Sequence, residues 1–259
     1  MMRTKPGGTR NIWTGVSLTF LILLTCWGCG AEEIVIPDRQ ATPLDMSTVG
    51  SLTGTVSFQG DPPARAPIPL GGFPACSAAH QTPPLDESIL VEGGRLKNVF
   101  VYIKEGLGDR IFAVPAEPVV IDQKGCIYNP HVTGAQAYQP VKFLNSDSLL
   151  HNVHSETDNS KPFNFVLPVA GLERVVQFPS EEVMAHVKCD VHGWMSAYIG
   201  VVDHPYFAVT GANGTYRLDN LPSGDYLLEA WHELLGVQNM RVRVGERQAA
   251  TADFSFSGS

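Results

Sequence analysis

The segment Lys188-Cys189-Asp190-Val191-His192-Gly193-Trp194-Met195 places a thiolate, an imidazole and a thioether within seven residues. A thiolate with a thioether selects a soft metal, and copper suits that pair better than zinc. A second imidazole would complete a trigonal set with a weak axial Met195. Both Cu(I) and Cu(II) tolerate such a set, so the chemistry would be one-electron transfer. Taken singly, the same residues have plain packing roles. Cys189 reads as a buried thiol, His192 as a turn residue and Met195 as core filler. It is their spacing that points to a metal.

Strand phase says which side chains face inward. Val183, Ala185, Val187 and Cys189 fall on one face of an alternating run, with Met184, His186 and Lys188 on the other. Gly193 allows a tight loop that returns His192 and Met195 toward the sulfur. In Leu149-Leu150-His151-Asn152-Val153-His154, the residues Leu149, His151 and Val153 share the apolar phase. His151 is therefore the expected second imidazole, and His154 points to the opposite face.

The rest of the chain reads as short strands. Leu52, Val56 and Phe58 alternate with Thr53, Thr55 and Ser57, and Gly60-Asp61-Pro62-Pro63 turns the chain. A Pro-rich irregular stretch runs to about Pro84. Further strands are expected at Val99–Ile103, Val119–Asp122, Val141–Leu144, His151–His154, Arg174–Phe178, Val183–Cys189, Ala197–Val202, Phe207–Thr210, Thr215–Leu218, Tyr226–Trp231 and Arg241–Val244. Short helical pieces are expected at Leu85–Leu90 and Trp231–Leu235. With Gly 25 and Pro 19 among 259 residues, many short strands and turns predict an all-β fold of sandwich type.

The ligand motifs carry a resemblance. Asn145-x5-His151-Asn152-Val153-His154 followed by Cys189-x2-His192-x2-Met195 resembles the cupredoxins, the amicyanin type in particular, over roughly Leu90 to Val202. The resemblance implies a Greek-key β-sandwich holding one type 1 copper. It implies His151, Cys189 and His192 as equatorial ligands, Met195 as the axial one, and Asn145 steadying the ligand loop by hydrogen bonds. His192, near the loop surface, would be the electron port. The chain departs from that pattern at Val187, where an aromatic residue is common, and at Val191, Gly193 and Trp194 within the loop.

A second resemblance lies downstream. Val209 to Leu218, with its Asn213-Gly214 turn, and Leu221 to Trp231 resemble a carboxypeptidase regulatory-like, transthyretin-type β-sandwich. The expected organisation is a signal segment at 1–29, a tether at 30–48, a copper domain at 49–203 and the small sandwich at 204–259. The strand at 50–58 also resembles the first strand of such sandwiches, so the copper domain has a second placement, inserted within the sandwich.

The N-terminus reads as an export signal: Arg3, Lys5 and Arg10 precede an apolar segment centred on Val16 to Leu24. Leu23 to Gly30 resembles a bacterial lipobox, with Cys29 as lipidation candidate. Plain cleavage and an uncleaved anchor are the alternatives, and a lipid at Cys29 would be the membrane link. Export puts the remaining thiols in an oxidising compartment. Cys76 and Cys126 are then a disulfide candidate. Free thiols, or a second metal site using Cys76-x3-His80 and Cys126-x4-His131, are the other readings. His186 is expected to be solvated, and His204 and His232 to be structural.

The net charge of −8, without a Lys/Arg run beyond the N-terminus, excludes a nucleic-acid binder and suits a basic redox partner. No nucleophile triad, phosphate loop or His-x-His pair marks an enzyme. The expected function is an exported one-electron copper carrier. The alternatives are copper binding or delivery without redox traffic, and an extracellular carbohydrate- or partner-binding sandwich.

Overall fold

The structure is a computed structural model that describes residue 1 and residues 34–258. The expected signal segment and the lipidation candidate Cys29 lie outside the described residues. Residues 34–48, expected as a tether, hydrogen-bond to the body. Thr42 and Ile111 exchange bonds of 2.9 and 3.0 Å, Val35 bonds Gln177, and the Arg39 guanidinium lies over the Tyr138 ring. Among the described residues no helix is long and apolar enough to cross a membrane.

The fold is nearly all β, in several sheets, as the alternation and turns of the sequence lead one to expect. Four strands come first: β1 (Gly50–Gln59), β2 (Val91–Glu92), β3 (Arg95–Leu96) and β4 (Phe100–Glu105). Nine follow: β5 (Val119–Gln123), β6 (Tyr128–Asn129), β7 (Val132–Gln136), β8 (Val141–Asn145), β9 (His151–Glu156), β10 (Asn164–Leu167), β11 (Glu173–Val176), β12 (Glu182–Lys188) and β13 (Ser196–Val202). Six close the chain: β14 (Phe207–Val209), β15 (Thr215–Leu221), β16 (Gly224–His232), β17 (Gly236–Val244), β18 (Ala249–Thr251) and β19 (Phe254–Ser257).

Hydrogen bonding groups the strands by sheet rather than by order. One sheet runs β15-β1-β3-β2, with β18 and β19 parallel to β1, and a second runs β14-β4-β16-β17. Their inward residues, among them Leu52, Val56, Val101, Leu228 and Phe256, form one core. β1 alternates as its sequence requires, with Leu52, Val56 and Phe58 buried and Thr53, Thr55 and Ser57 half-buried. β1 and β4 both lie before residue 203, yet their partners include β15, β16, β18 and β19. The remaining sheets, β10-β9-β12-β13-β7 and β11-β8-β5-β6, enclose a second core that includes Phe143, Val153, Val187, Cys189 and Met195.

A third, smaller cluster, Phe100, Tyr102, Val132 and Val202, packs β4 against β7 and β13. The parallel strands β7 and β13 put Gly134 opposite Gly200 here. A Cβ on Gly200 would stand 2.5 Å from the Phe100 ring, and one on Gly134 would stand 2.5 Å from Phe207. Two facing glycines thus open a slot into which aromatic rings from the neighbouring sheet fit.

Three local expectations need correction. Leu85–Leu90 is not helical, and Trp231–Leu235 is the end of β16 and a turn in which the His232 ring accepts the Leu234 and Leu235 N–H groups. The helical pieces are a 3-10 turn at Leu70–Gly72 and α1 (Pro74–Ala78), both inside the Pro-rich stretch. Val183 is exposed, because the register of β12 shifts between Glu182 and Ala185. Glu182 turns inward there and accepts the backbone N–H groups of Asp158, Asn159 and Ser160.

Candidate metal centre

Past that irregularity, β12 alternates cleanly. Ala185, Val187 and Cys189 are buried, while His186 and Lys188 are half-buried. β9 is its antiparallel neighbour, with Lys188 opposite His154. His151 is fully buried at the start of β9, in phase with buried Val153. After Cys189 the chain folds back on itself: Met195 donates to the His192 carbonyl at 2.8 Å, and Cys189 donates to the Met195 carbonyl at 3.2 Å. This tight loop returns His192 over Cys189 and buries Met195 in the same core.

The three donors converge. His151 Nδ1 lies 3.0 Å from His192 Nδ1, and Cys189 Sγ lies 3.8 Å from that same nitrogen. One ligand atom from each residue falls within 4.8 Å of the others, and all three residues are buried. Two imidazole nitrogens, one sulfur and a thioether from the same core are a donor set that fits copper. Among the described residues Cys189 is the free cysteine.

The three donors and their neighbours shift one another's titration. Burial pushes the Cys189 thiol up, but the His151 ring and the backbone N–H groups of Asn152, His192 and Val191 outweigh it, and the net shift is downward. Burial would lower His151, yet the Asp147 carboxylate and the Cys189 sulfur raise it to about 9. Burial, then the charge on His151, holds His192 below its ordinary value.

Three side chains around the donors hold their strands by hydrogen bonds, and of these Asp147 gives no signal in the sequence. Asp147 accepts His151 Nε2 at 2.9 Å, and its two oxygens accept the N–H groups of Gly125 and Cys126 at 2.7 and 2.8 Å. Asn152 accepts the Asp190 N–H at 2.6 Å and donates back to the Asp190 carboxylate at 2.8 Å, tying the strand of His151 to the loop of Cys189. Its place next to His151 in the sequence is the available clue. Asn145 donates to the Leu149 and Leu167 carbonyls at 2.7 Å and accepts the Asp147 N–H at 2.8 Å. Its bonds therefore brace the turn leading to His151, not the Cys189–Met195 loop.

Cys76 and Cys126 are joined, with Cα atoms 5.6 Å apart, and the bridge adjoins His192. The thiols are thus consumed. His80 instead bonds the Gly125 carbonyl and His131 bonds Ser196 O and Glu233. His186 is not simply solvated: it stacks on Tyr198 and bonds Glu156 and Ser196. His204 is buried and bonds the Ile103 carbonyl. His192, expected near the surface, is only 3% exposed.

No protein-family model matches the chain. No curated protein matches it either. Among solved structures, the chain is similar to a Cu-containing nitrite reductase (NirK) from Thermus scotoductus SA-01, at 20% identity and a TM-score of 0.30, over 47% of this chain and 27% of that one. The chain therefore spans about a quarter of the length of that enzyme. It is similar to a purple cupredoxin from Nitrosopumilus maritimus at 23% identity and a TM-score of 0.28, over 32% of this chain and 98% of that one. A reduced mutant of amicyanin is similar at 18% identity and a TM-score of 0.30, over 34% of this chain and 85% of that one. What points to a metal in this chain is its own donor set.

Proposed function

We propose that His151, Cys189 and His192 would hold one copper ion, with the Met195 thioether as a weaker fourth donor, and that the chain is an exported one-electron carrier rather than an enzyme. The observation that carries this reading is the buried convergence of two imidazole nitrogens and one cysteine sulfur within 4.8 Å. Bound there, copper would supply a Cu(I)/Cu(II) couple. The chain's part is to keep the donors where they are. Asp147 fixes the His151 ring through Nε2, and Asn152 ties Asp190, next to Cys189, to the same strand. Donors braced in this way need little rearrangement between oxidation states.

Export follows from the N-terminal segment, with Cys29 as the candidate lipid attachment, and a bridged Cys76–Cys126 pair suits an oxidising compartment. The strands paired around β1 and β4 support reading the copper module as inserted in a transthyretin-type sandwich. The acidic chain suits a basic redox partner.

The test is Cu(II) titration of the full chain with visible absorption and EPR. An intense thiolate-to-copper band with narrow hyperfine splitting, at one copper per chain and absent in Cys189→Ser, is expected. A pale tetragonal spectrum, or the same blue band in Cys189→Ser, overturns the reading.

A further inference from the structure

A ligand imidazole at the mouth of a metal loop would be expected to meet solvent, but His192 does not. The Phe73 ring stands edge-on to it, centroids 4.7 Å apart, and Phe73 also packs against Trp194 at 5.2 Å. Trp194 lies 5.4 Å from His192, so the imidazole sits beneath two aromatic rings. Phe73 itself is 37% exposed. One side of the ring touches the ligand and the other touches water.

Phe73 is held in place by more than this contact. It joins the 3-10 turn at Leu70–Gly72 to α1, donating its N–H to Leu70 O at 2.8 Å and accepting that of Ser77 at 3.0 Å. The Ser77 hydroxyl also donates to Leu70 O. Cys76 bridges to Cys126, and His80 bonds the Gly125 carbonyl at 2.7 Å. Trp194 donates its ring N–H to the Cys126 carbonyl at 2.9 Å. The strap carrying Phe73 is therefore pinned to Gly125 and Cys126, the same two residues whose N–H groups hold the carboxylate behind His151.

A metal that binds substrates or small anions keeps an open coordination position, whereas one that only exchanges electrons has no need of it. We propose that Phe73 is the specificity-determining residue of this centre: its ring closes the solvent side of His192, keeps small ligands from the donors, and leaves electron exchange through the aromatic cover as the traffic allowed. This rests on the copper reading for its consequence, but the cover itself can be tested without metal.

In the metal-free full chain, diethyl pyrocarbonate modification followed by peptide mass mapping reads the access to each imidazole. His192 should react slowly against partly exposed His154. Phe73→Ala should speed His192 by about tenfold or more, equivalent to about 1.4 kcal/mol less for opening. His154 should be unchanged, and buried His232 should stay unmodified as the sign of an intact fold. Phe73→Tyr should restore the slow rate. Equal His192 rates in the wild type and Phe73→Ala overturn the proposal.

In the copper-loaded chain, azide should alter the visible and EPR spectra of Phe73→Ala and leave the wild type and Phe73→Tyr unchanged. A wild type as azide-sensitive as Phe73→Ala overturns it too. A chain that takes up no copper overturns the copper reading alone, and the mass-mapping rates still decide the cover.

Discussion

Asp147 and His151 stand four residues apart and meet at 2.9 Å, the carboxylate accepting the ring nitrogen that faces away from the other two donors. The carboxylate also receives two backbone N–H groups from the disulfide loop. Burial would raise its pKa, but the bonds from His151, Cys126 and Gly125 bring it below the ordinary value, so it stays ionised. A fixed anion behind an imidazole sets its tautomer and raises its strength as a ligand. Asp147→Asn should lower copper affinity about 10–100-fold while one copper per chain still binds. Competition against a chromophoric copper chelator measures this, and an unchanged affinity would remove Asp147 from the site.

His232 makes a prediction in acid. Burial holds its pKa down to about 4, against 6.5 for a free imidazole. Between those values the unfolded chain binds a proton that the folded chain refuses. Stability from this group is complete above about pH 6.5 and is lost as the pH falls toward 4, by at most about 3 kcal/mol. Urea midpoints across that window should fall less steeply in His232→Asn than in the wild type. Parallel curves would show that His232 contributes nothing.

The facing glycines should tolerate no methyl group. Gly200→Ala puts a carbon where the Phe100 ring lies, and both are buried. Overpacking of this kind costs about 1–3 kcal/mol, and trimming the ring in Gly200→Ala/Phe100→Leu should recover part of it. Thermal melts of the two variants decide; additive losses would mean that the ring and the glycine do not share this space.

The Cys76–Cys126 bridge spans 50 residues. Closing a loop of that length in the unfolded chain corresponds to about 4 kcal/mol on the entropic account. The Cys76→Ser/Cys126→Ser variant should shift the urea midpoint downward by that measure. A shift of a few tenths would show that the Pro-rich stretch is held by its other contacts.

Alternation makes the inward phase of His151 and of Cys189 legible, because one face of each strand is buried and the other is not. It fails at Val183, where three backbone N–H groups recruit Glu182 inward and shift the register. β7 escapes a reading by pattern because Val132-Thr-Gly-Ala-Gln136 carries little apolar alternation; Gly134 is there to admit a ring from another sheet. Phe73 lies more than a hundred residues from His192, in a stretch whose prolines read as irregular. Only a tertiary contact could reveal it as the cover. Asp147 is likewise silent, since a carboxylate in a polar turn resembles any solvated one.

β1 takes as parallel partners two of the last strands made, with Val56 opposite Phe254 and Phe58 opposite Phe256. Any chain that emerges from its N-terminus will therefore complete the strands bearing all four donors before the outer sandwich can close. Until then β1 has β3 and β15 beside it but lacks its two parallel partners. A truncation after Asp253 would therefore leave residues 56–59, near the start of the described fold, without their parallel partner.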